Sequence, residues 1–395
     1  MKVALADLHW KGHHTPYVCL ISKYLLHNGH QVIFITDKDN QRIDELPESD
    51  SFQICKIAVP TFEENHIEGI TASVVEQKVR TEQVRSMLTA TEENDADVLH
   101  LLWFDRTIVP YWAATLIDQY NFSVVGTLHR DAFTIPSEGI NIKHITKYVS
   151  TISLGSVLKR NTLDTLTVHA DSIRQRLLQQ VSPTSRDNVQ VVPAPTPNPS
   201  IDCSTEEAKT ELNLPSDRRI LLFFGGLRYE KGPDVLAKAV TDLNREVVVL
   251  FAGSPVDFDE STVTDWDRAA NDAVEIINHL EFIPESKVDL FFIAADALVL
   301  PYRRQRGISG PMRRACMVGT PVVGNRNSDI GTIINKYSLG ETFTLESSHD
   351  LRRAITKVVD SDERYEIGLK QYAESQHWKV AGEAFEELYL EVTGT

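Results

Sequence analysis

In FFGGLRYEKGPDVL (223–236) an apolar run ends in two glycines, followed by an arginine and a lysine three positions apart. Gly225 and Gly226 let backbone approach a ligand closely, and Arg228 and Lys231 can converge on one anion. Pro233 suits the first turn of the helix that follows, and Asp234 suits its positive end. Ser309 and Gly310 stand just ahead of a second such start, at Pro311, where unpaired N–H groups attract phosphate. Around them lie Arg303, Arg304, Arg306, Arg313 and Arg314; one or two are expected to bind an anion and the rest to be solvated. In the first half, His129 ends the apolar run SVVGTLH (123–129), and Asp131 is placed to orient it or to cap a helix. Gly12, His14 and Tyr17 share the loop KGHHTPY (11–17), and Trp103, Asp105 and Arg106 fall in LLWFDR (101–106). Each has a plainer use: a solvated basic pair, a surface loop with Thr15 as cap, a core tryptophan, a structural histidine.

Side chains this far apart in sequence act together only if the fold collects them. VALADL (3–8), a helical pattern from Tyr17 to His27, Gly29 and QVIFIT (31–36) make a βαβ unit, hence a parallel sheet with a right-handed crossover. DVLHLLW (97–103), SVVGTLH, TLTVH (165–169) and VQVVP (189–193) continue the strands, with a helix over about Ile145 to Leu158. APTPNPS (194–200) can continue neither a helix nor a central strand and reads as a linker. The alternation then restarts with ILLFFGG (220–226), VVVLFAG (247–253), ALVLP (297–301) and TPVVGN (320–325). Helices are predicted from Pro233, near Thr264 to Ala273, through Val288–Ala294 and from Pro311. Two α/β series predict two doubly wound, Rossmann-like domains facing across a cleft, with ligands at the carboxyl ends of the strands. Most of the residues singled out fall in the loops 9–16, 102–107, 129–135, 226–232 and 302–311.

Composition narrows the function. The length of 395 residues predicts two domains. A formal net charge of −16 disfavours nucleic acid and broad adsorption to anionic membranes, while leaving room for weak peripheral association through a local basic patch. Cys19, Cys55, Cys203 and Cys316 have no metal-site spacing and suit a reducing compartment, so the expected location is cytoplasmic. Neither a signal peptide nor an apolar run long enough to span a membrane is evident. GxGxxG and GxxxxGK[ST] are absent, which disfavours a dinucleotide dehydrogenase and an ATPase. Asp37/Asp39 and Asp257/Asp259 have the DxD look of a metal site, a pattern that arises freely in acidic sequences.

The segment 223–236 resembles the donor-diphosphate motif of the family-4 glycosyltransferases of the GT-B fold, in the subset written FFGxxRxxKG. AADALVLPYRRQRGISG (294–310) and the GTPVV that follows resemble the same subset's second signature. The resemblance implies a nucleotide-sugar-dependent hexosyl or glycosyltransferase that retains anomeric configuration and requires no metal or cofactor. It implies a nucleotide-sugar donor, a glycan or lipid-linked acceptor and no nucleic acid. Donor-binding roles pass to Gly225, Gly226, Arg228, Lys231, Arg306, Ser309 and Gly310, with His129, Arg228 and Lys231 in catalysis. Gly12, His14, Tyr17 and Trp103 would stand on the acceptor side, where an aromatic ring beside polar groups suits a sugar's apolar face. The implied domains are an N-terminal acceptor-side domain, 1–193, and a nucleotide-sugar domain, 203–370. A helix of about 375–395 would cross back to the first. The commoner family spelling puts arginine where this chain has Gly226, which shifts that role to Arg228. Arg306 and Arg314 stand where many members have glutamates, leaving a second reading open: a glycosyltransferase-like protein that binds nucleotide or glycan without turnover.

Overall fold

The computed structural model describes residues 1–10, 14–60, 69–129, 142–181, 186–304, 307–361 and 363–394, and only the backbone of 69–73 and 142–147. The chain divides into two compact units, Met1–Pro195 with Trp378–Thr395, and Thr196–His377.

The first unit is built on seven parallel strands: β1 (Lys2–Ala6), β2 (Gln31–Asp37), β3 (Phe52–Ile57), β4 (Val98–Leu101), β5 (Ser123–Leu128), β6 (Thr165–Val168) and β7 (Val189–Val191). Their order is β3-β2-β1-β4-β5-β6-β7. Its helices are α1 (His14–His27), α2 (Gly69–Glu93), α3 (Ile108–Ala114), α4 (Ile142–Lys159) and α5 (Asp171–Leu178). The central strands are buried on both faces, which is why they read as continuous apolar runs. Alternate residues feed opposite layers. Ala4, Ile33 and Leu99 pack with α2 and α3, whereas Val3, Val32 and Val98 pack with α1.

The second unit has six parallel strands: β8 (Arg219–Phe224), β9 (Val247–Ala252), β10 (Val274–His279), β11 (Ala297–Leu300), β12 (Val322–Asn325) and β13 (Gly340–Phe343). They lie in the order β10-β9-β8-β11-β12-β13. The helices are α6 (Thr205–Glu211), α7 (Pro233–Val240), α8 (Glu260–Ala269), α9 (Glu285–Ile293), α10 (Gly310–Met317), α11 (Asp329–Tyr337), α12 (Ser348–Val359) and α13 (Glu366–Ser375). Helix α8 starts four residues before its predicted position, because Asp259 caps it by accepting from Thr262 N at 2.9 Å.

The last helix, α14 (Trp378–Thr393), belongs to the first unit. Phe385, Leu388 and Tyr389 are sealed in its core, each contributing about 1.5–3 kcal/mol by burial. Tyr389 Oη lies 2.6 Å from His100 Nδ1, and His100 Nε2 lies 2.6 Å from Thr127 Oγ1. Burial pushes His100 down to about 3, so it joins α14 to β4 and β5 as a neutral ring. Among the described residues, no helix is long and apolar enough to cross a membrane.

Candidate functional site

In each sheet the strand order reverses direction once, between β1 and β4 and between β8 and β11. At such a point the loops leaving the two strands diverge and open a crevice.

In the second unit the two loops are locked together by glycines. Gly225 has φ +111°, and a methyl group there would lie 2.5 Å from Lys231 Nζ. Gly232 has φ +67°, and its methyl would meet the Pro301 carbonyl oxygen at 2.2 Å. Lys231 therefore crosses over bare backbone, its Nζ 5.9 Å from the centre of the Tyr302 ring. The half-buried Lys231 ammonium is held below the ordinary lysine range, first by desolvation and then by the adjacent Arg228 charge. Arg228 is exposed, and neither its guanidinium nor the Lys231 ammonium is in an ion pair among the described residues. Gly232→Ala is expected to destabilise this unit by about 1–3 kcal/mol, since it combines strained backbone with a backbone clash. Urea unfolding monitored at its tryptophan, Trp266, checks this; an unchanged midpoint would show that the loops are not locked at Gly232.

The arginines predicted as a cluster separate by their partners. Arg303 donates to both Asp234 oxygens at 2.7 Å, bonds Glu346 and stacks over the Tyr229 ring at 4.1 Å. Arg314 bonds Asp289 at 2.6 Å and also Glu285, and Arg313 donates to Thr196 Oγ1 at 2.8 Å. These side chains brace the unit. Arg304 is exposed, and Arg306 lies outside the described residues. Ser309 caps α10 by accepting from Met312 N, and a methyl on Gly310 would meet no atom of the described residues within 4 Å. The DxD carboxylates shape the backbone: Asp37 accepts from Asp39 N, Asp257 accepts from Tyr229 N, and Asp259 caps α8.

In the first unit His14, Tyr17, Trp103 and His129 form one aromatic group, whereas Gly12 and Asp131 lie outside the described residues. Trp103 is stacked between His14, at 3.9 Å, and His129, at 4.2 Å and nearly coplanar. His129 Nε2 donates to the Leu102 carbonyl at 2.8 Å, which fixes its tautomer. His14 Nδ1 donates to the buried Asp7 carboxylate at 2.7 Å, and Asp7 also accepts from His9 N. Burial raises the Asp7 pKa, against the opposing pull of His14. The Tyr17 hydroxyl donates to His169 Nε2 at 3.2 Å, and His169 Nδ1 donates to the Val192 carbonyl. Beside this group a pocket of about 250 Å³ is lined by Asp7, His9, Glu76, Arg80, Trp103 and Arg106, among others.

Comparison with known proteins assigns the second unit. Residues 204–376 match the family model described as glycosyl transferases group 1. The match spans less than half of the chain. The whole chain has the GT-B fold. It superposes on sucrose-phosphate synthase of Thermosynechococcus elongatus with a TM-score of 0.75 at 17% identity, covering 100% of this chain and 99% of that one. The D-inositol 3-phosphate glycosyltransferase of Corynebacterium aurimucosum is 28% identical over 207 residues, 49% of this chain and 48% of the relative. That of Corynebacterium jeikeium is 26% identical over 299 residues, 68% of this chain and 70% of the relative. The chain thus spans about half the length of the first of these relatives.

The matched segment contains the Gly225–Lys231 loop, Ser309 and Gly310, while His14, Tyr17, Trp103 and His129 lie in the other unit. Sequence reasoning overlooked Asp7, Gly232 and Tyr302. Asp7 carried a signal, as a carboxylate ending an otherwise apolar strand. Gly232, just before the helix-starting Pro233, carried another. Tyr302 had none, because burial and its bond to Ser309 are tertiary facts.

Proposed function

We propose that the chain is a retaining glycosyltransferase, transferring a sugar from a nucleotide-diphosphate sugar to a hydroxyl of a glycan, lipid-linked or small-molecule acceptor. The observation that carries this reading is the pair Arg228 and Lys231: two adjacent like charges at a switch point, neither in an ion pair with a described carboxylate. Nearby Arg303 and Arg314 each hold two carboxylates. Two cations held together with no paired carboxylate favour a bound polyanion, and a diphosphate supplies one.

In this reading the diphosphate rests on Arg228 and Lys231, with the start of α10 at Ser309 and Gly310 as further donors. These groups stabilise the negative charge that grows as the bond from the anomeric carbon to phosphate breaks. The acceptor hydroxyl approaches on the face the phosphate leaves, its oxygen bonds to the anomeric carbon, and its proton passes to the departing phosphate oxygen. The products are the glycoside, with configuration retained, and the nucleoside diphosphate. His129 positions the donor sugar. The reading needs no metal or cofactor, because the two side-chain cations take the diphosphate charge. The four free thiols suit the cytoplasm, and weak peripheral membrane association would serve a lipid-linked acceptor.

A thermal-shift screen of UDP, GDP and ADP with their sugars tests the reading. A true donor at a hundred times its Kd is expected to stabilise the protein by about 2.7 kcal/mol. No shift with any of them rejects a nucleotide-sugar site. A donor that binds but is neither hydrolysed nor transferred, with candidate acceptors supplied, would point instead to a non-catalytic binding protein.

A further inference from the structure

Asp7 is a costly residue to bury. It follows the apolar strand β1 directly, where an apolar side chain would fill the same space without desolvating a carboxylate. The charge is offset from several sides. One oxygen accepts from His9 N at 2.9 Å, the other from His14 Nδ1 at 2.7 Å, and the Arg106 guanidinium in the same pocket also acts on it. The backbone is fixed as well, because Asp7 N donates to the Ile35 carbonyl of β2 at 3.0 Å. The carboxylate is therefore a fixed point on the sheet, and the ring of His14, the first residue of α1, is tied to it.

From His14 the contacts run in one line. Its ring lies on one face of Trp103, 3.9 Å between centres and 25° from parallel. The other face carries His129, at 4.2 Å and 9°. His129 Nε2 ends the line on the Leu102 carbonyl, and Tyr17 closes its side, 5.1 Å from both the Trp103 and the His129 rings. Asp7, Trp103 and His129 follow β1, β4 and β5, which are neighbours in the sheet. Stacked rings tolerate a range of offsets, whereas a hydrogen bond to a carboxylate is short and directional. The stack is thus pinned at both ends, by Leu102 and by Asp7. We propose that Asp7 is a positioning residue: it seats His14 against Trp103 and through that stack sets the place of His129. The importance of that place for sugar transfer rests on the glycosyltransferase reading; the stack stands without it.

The test compares Asp7→Asn with the native full chain, first by NMR without ligand. A ring lying flat on an indole has displaced ring-proton signals, so the displacement reports the stack. In Asp7→Asn the His129 signals, assigned by their loss in His129→Ala, should move toward ordinary positions. Those of His100, buried in the same unit and bonded to Tyr389 and Thr127, should stay in place. His14→Gln keeps an N–H for the carboxylate but takes the ring off Trp103. It should move the His129 signals likewise, and it serves where Asp7→Asn does not fold. With a donor and acceptor that turn over, Asp7→Asn is expected to lower kcat roughly tenfold and leave the donor KM within about twofold. Added to His129→Ala, it should cost nothing further, because the ring it positions is gone. Unmoved His129 signals in both variants, equal movement of the His100 signals, or losses that multiply in the double variant overturn the proposal. Absence of turnover with every donor defeats the glycosyltransferase reading instead, and the NMR comparison still decides the positioning.

Discussion

Replacing Lys231 with alanine is expected to weaken nucleotide-diphosphate binding by roughly ten- to hundredfold, the size of a lost charge-assisted contact. Adding Arg228→Ala should weaken it again, by a smaller factor that shrinks in salt, because Arg228 is exposed and Lys231 half-buried. The fold should survive both changes, since neither charge is in an ion pair with a described residue. Titration gives the same contact a second signature. The free Lys231 ammonium is held below the ordinary lysine range by desolvation and by Arg228, and a bound diphosphate favours the protonated form. Affinity in the native protein should therefore fall as pH rises, starting below the range where an exposed lysine titrates. In Lys231→Ala that dependence should disappear. Calorimetry across pH with the nucleotide selected by thermal shift measures both effects. Affinity unchanged by Lys231→Ala would mean that the diphosphate does not rest on this loop.

Arg228 and Lys231 were legible because everything that exposes them is local: the end of an apolar strand, two glycines and a helix start at Pro233. Telling which other arginines are held by carboxylates was not a local matter. Arg303 is neutralised by Asp234 and Glu346, and Arg314 by Glu285 and Asp289, partners chosen by the packing of separate elements. In the sequence all five arginines look alike. The strands of both sheets were legible wherever burial on two faces makes them continuously apolar. Strand β3 was missed because FQICKI mixes polar and apolar residues, and the strand lies at the edge, half covered. Helix α2 was missed for a related reason. Among its described side chains only Val84, Met87, Leu88, Ala90 and Thr91 are buried, too sparse a stripe to stand out from its charged face. That omission hid Glu76 and Arg80, which line the pocket of the first unit.

His129→Ala is expected to lower turnover by about a hundredfold, the scale of a donor misplaced by an ångström, while changing nucleotide-sugar affinity only a few-fold. The ring is held by three features of its own unit: Nε2–H donates to Leu102, one face lies flat on Trp103, and its edge meets Tyr17. A side chain gripped this firmly can position a sugar, and its removal leaves the Arg228–Lys231 loop untouched. His129→Gln offers an amide in place of the ring N–H and should recover part of the loss, if an N–H at this position is what matters. A merely structural role would give another pattern, with melting temperature and donor affinity falling together and kcat following them. Steady-state kinetics at saturating donor, beside calorimetry on the same variants, separates the two. The stereochemistry of the product is read by NMR on the native enzyme. A retained anomeric configuration fits transfer on the face the phosphate leaves, where His129 needs only to position. An inverted product would require a base on the opposite face, and neither His129 nor the departing phosphate could keep the role proposed for it.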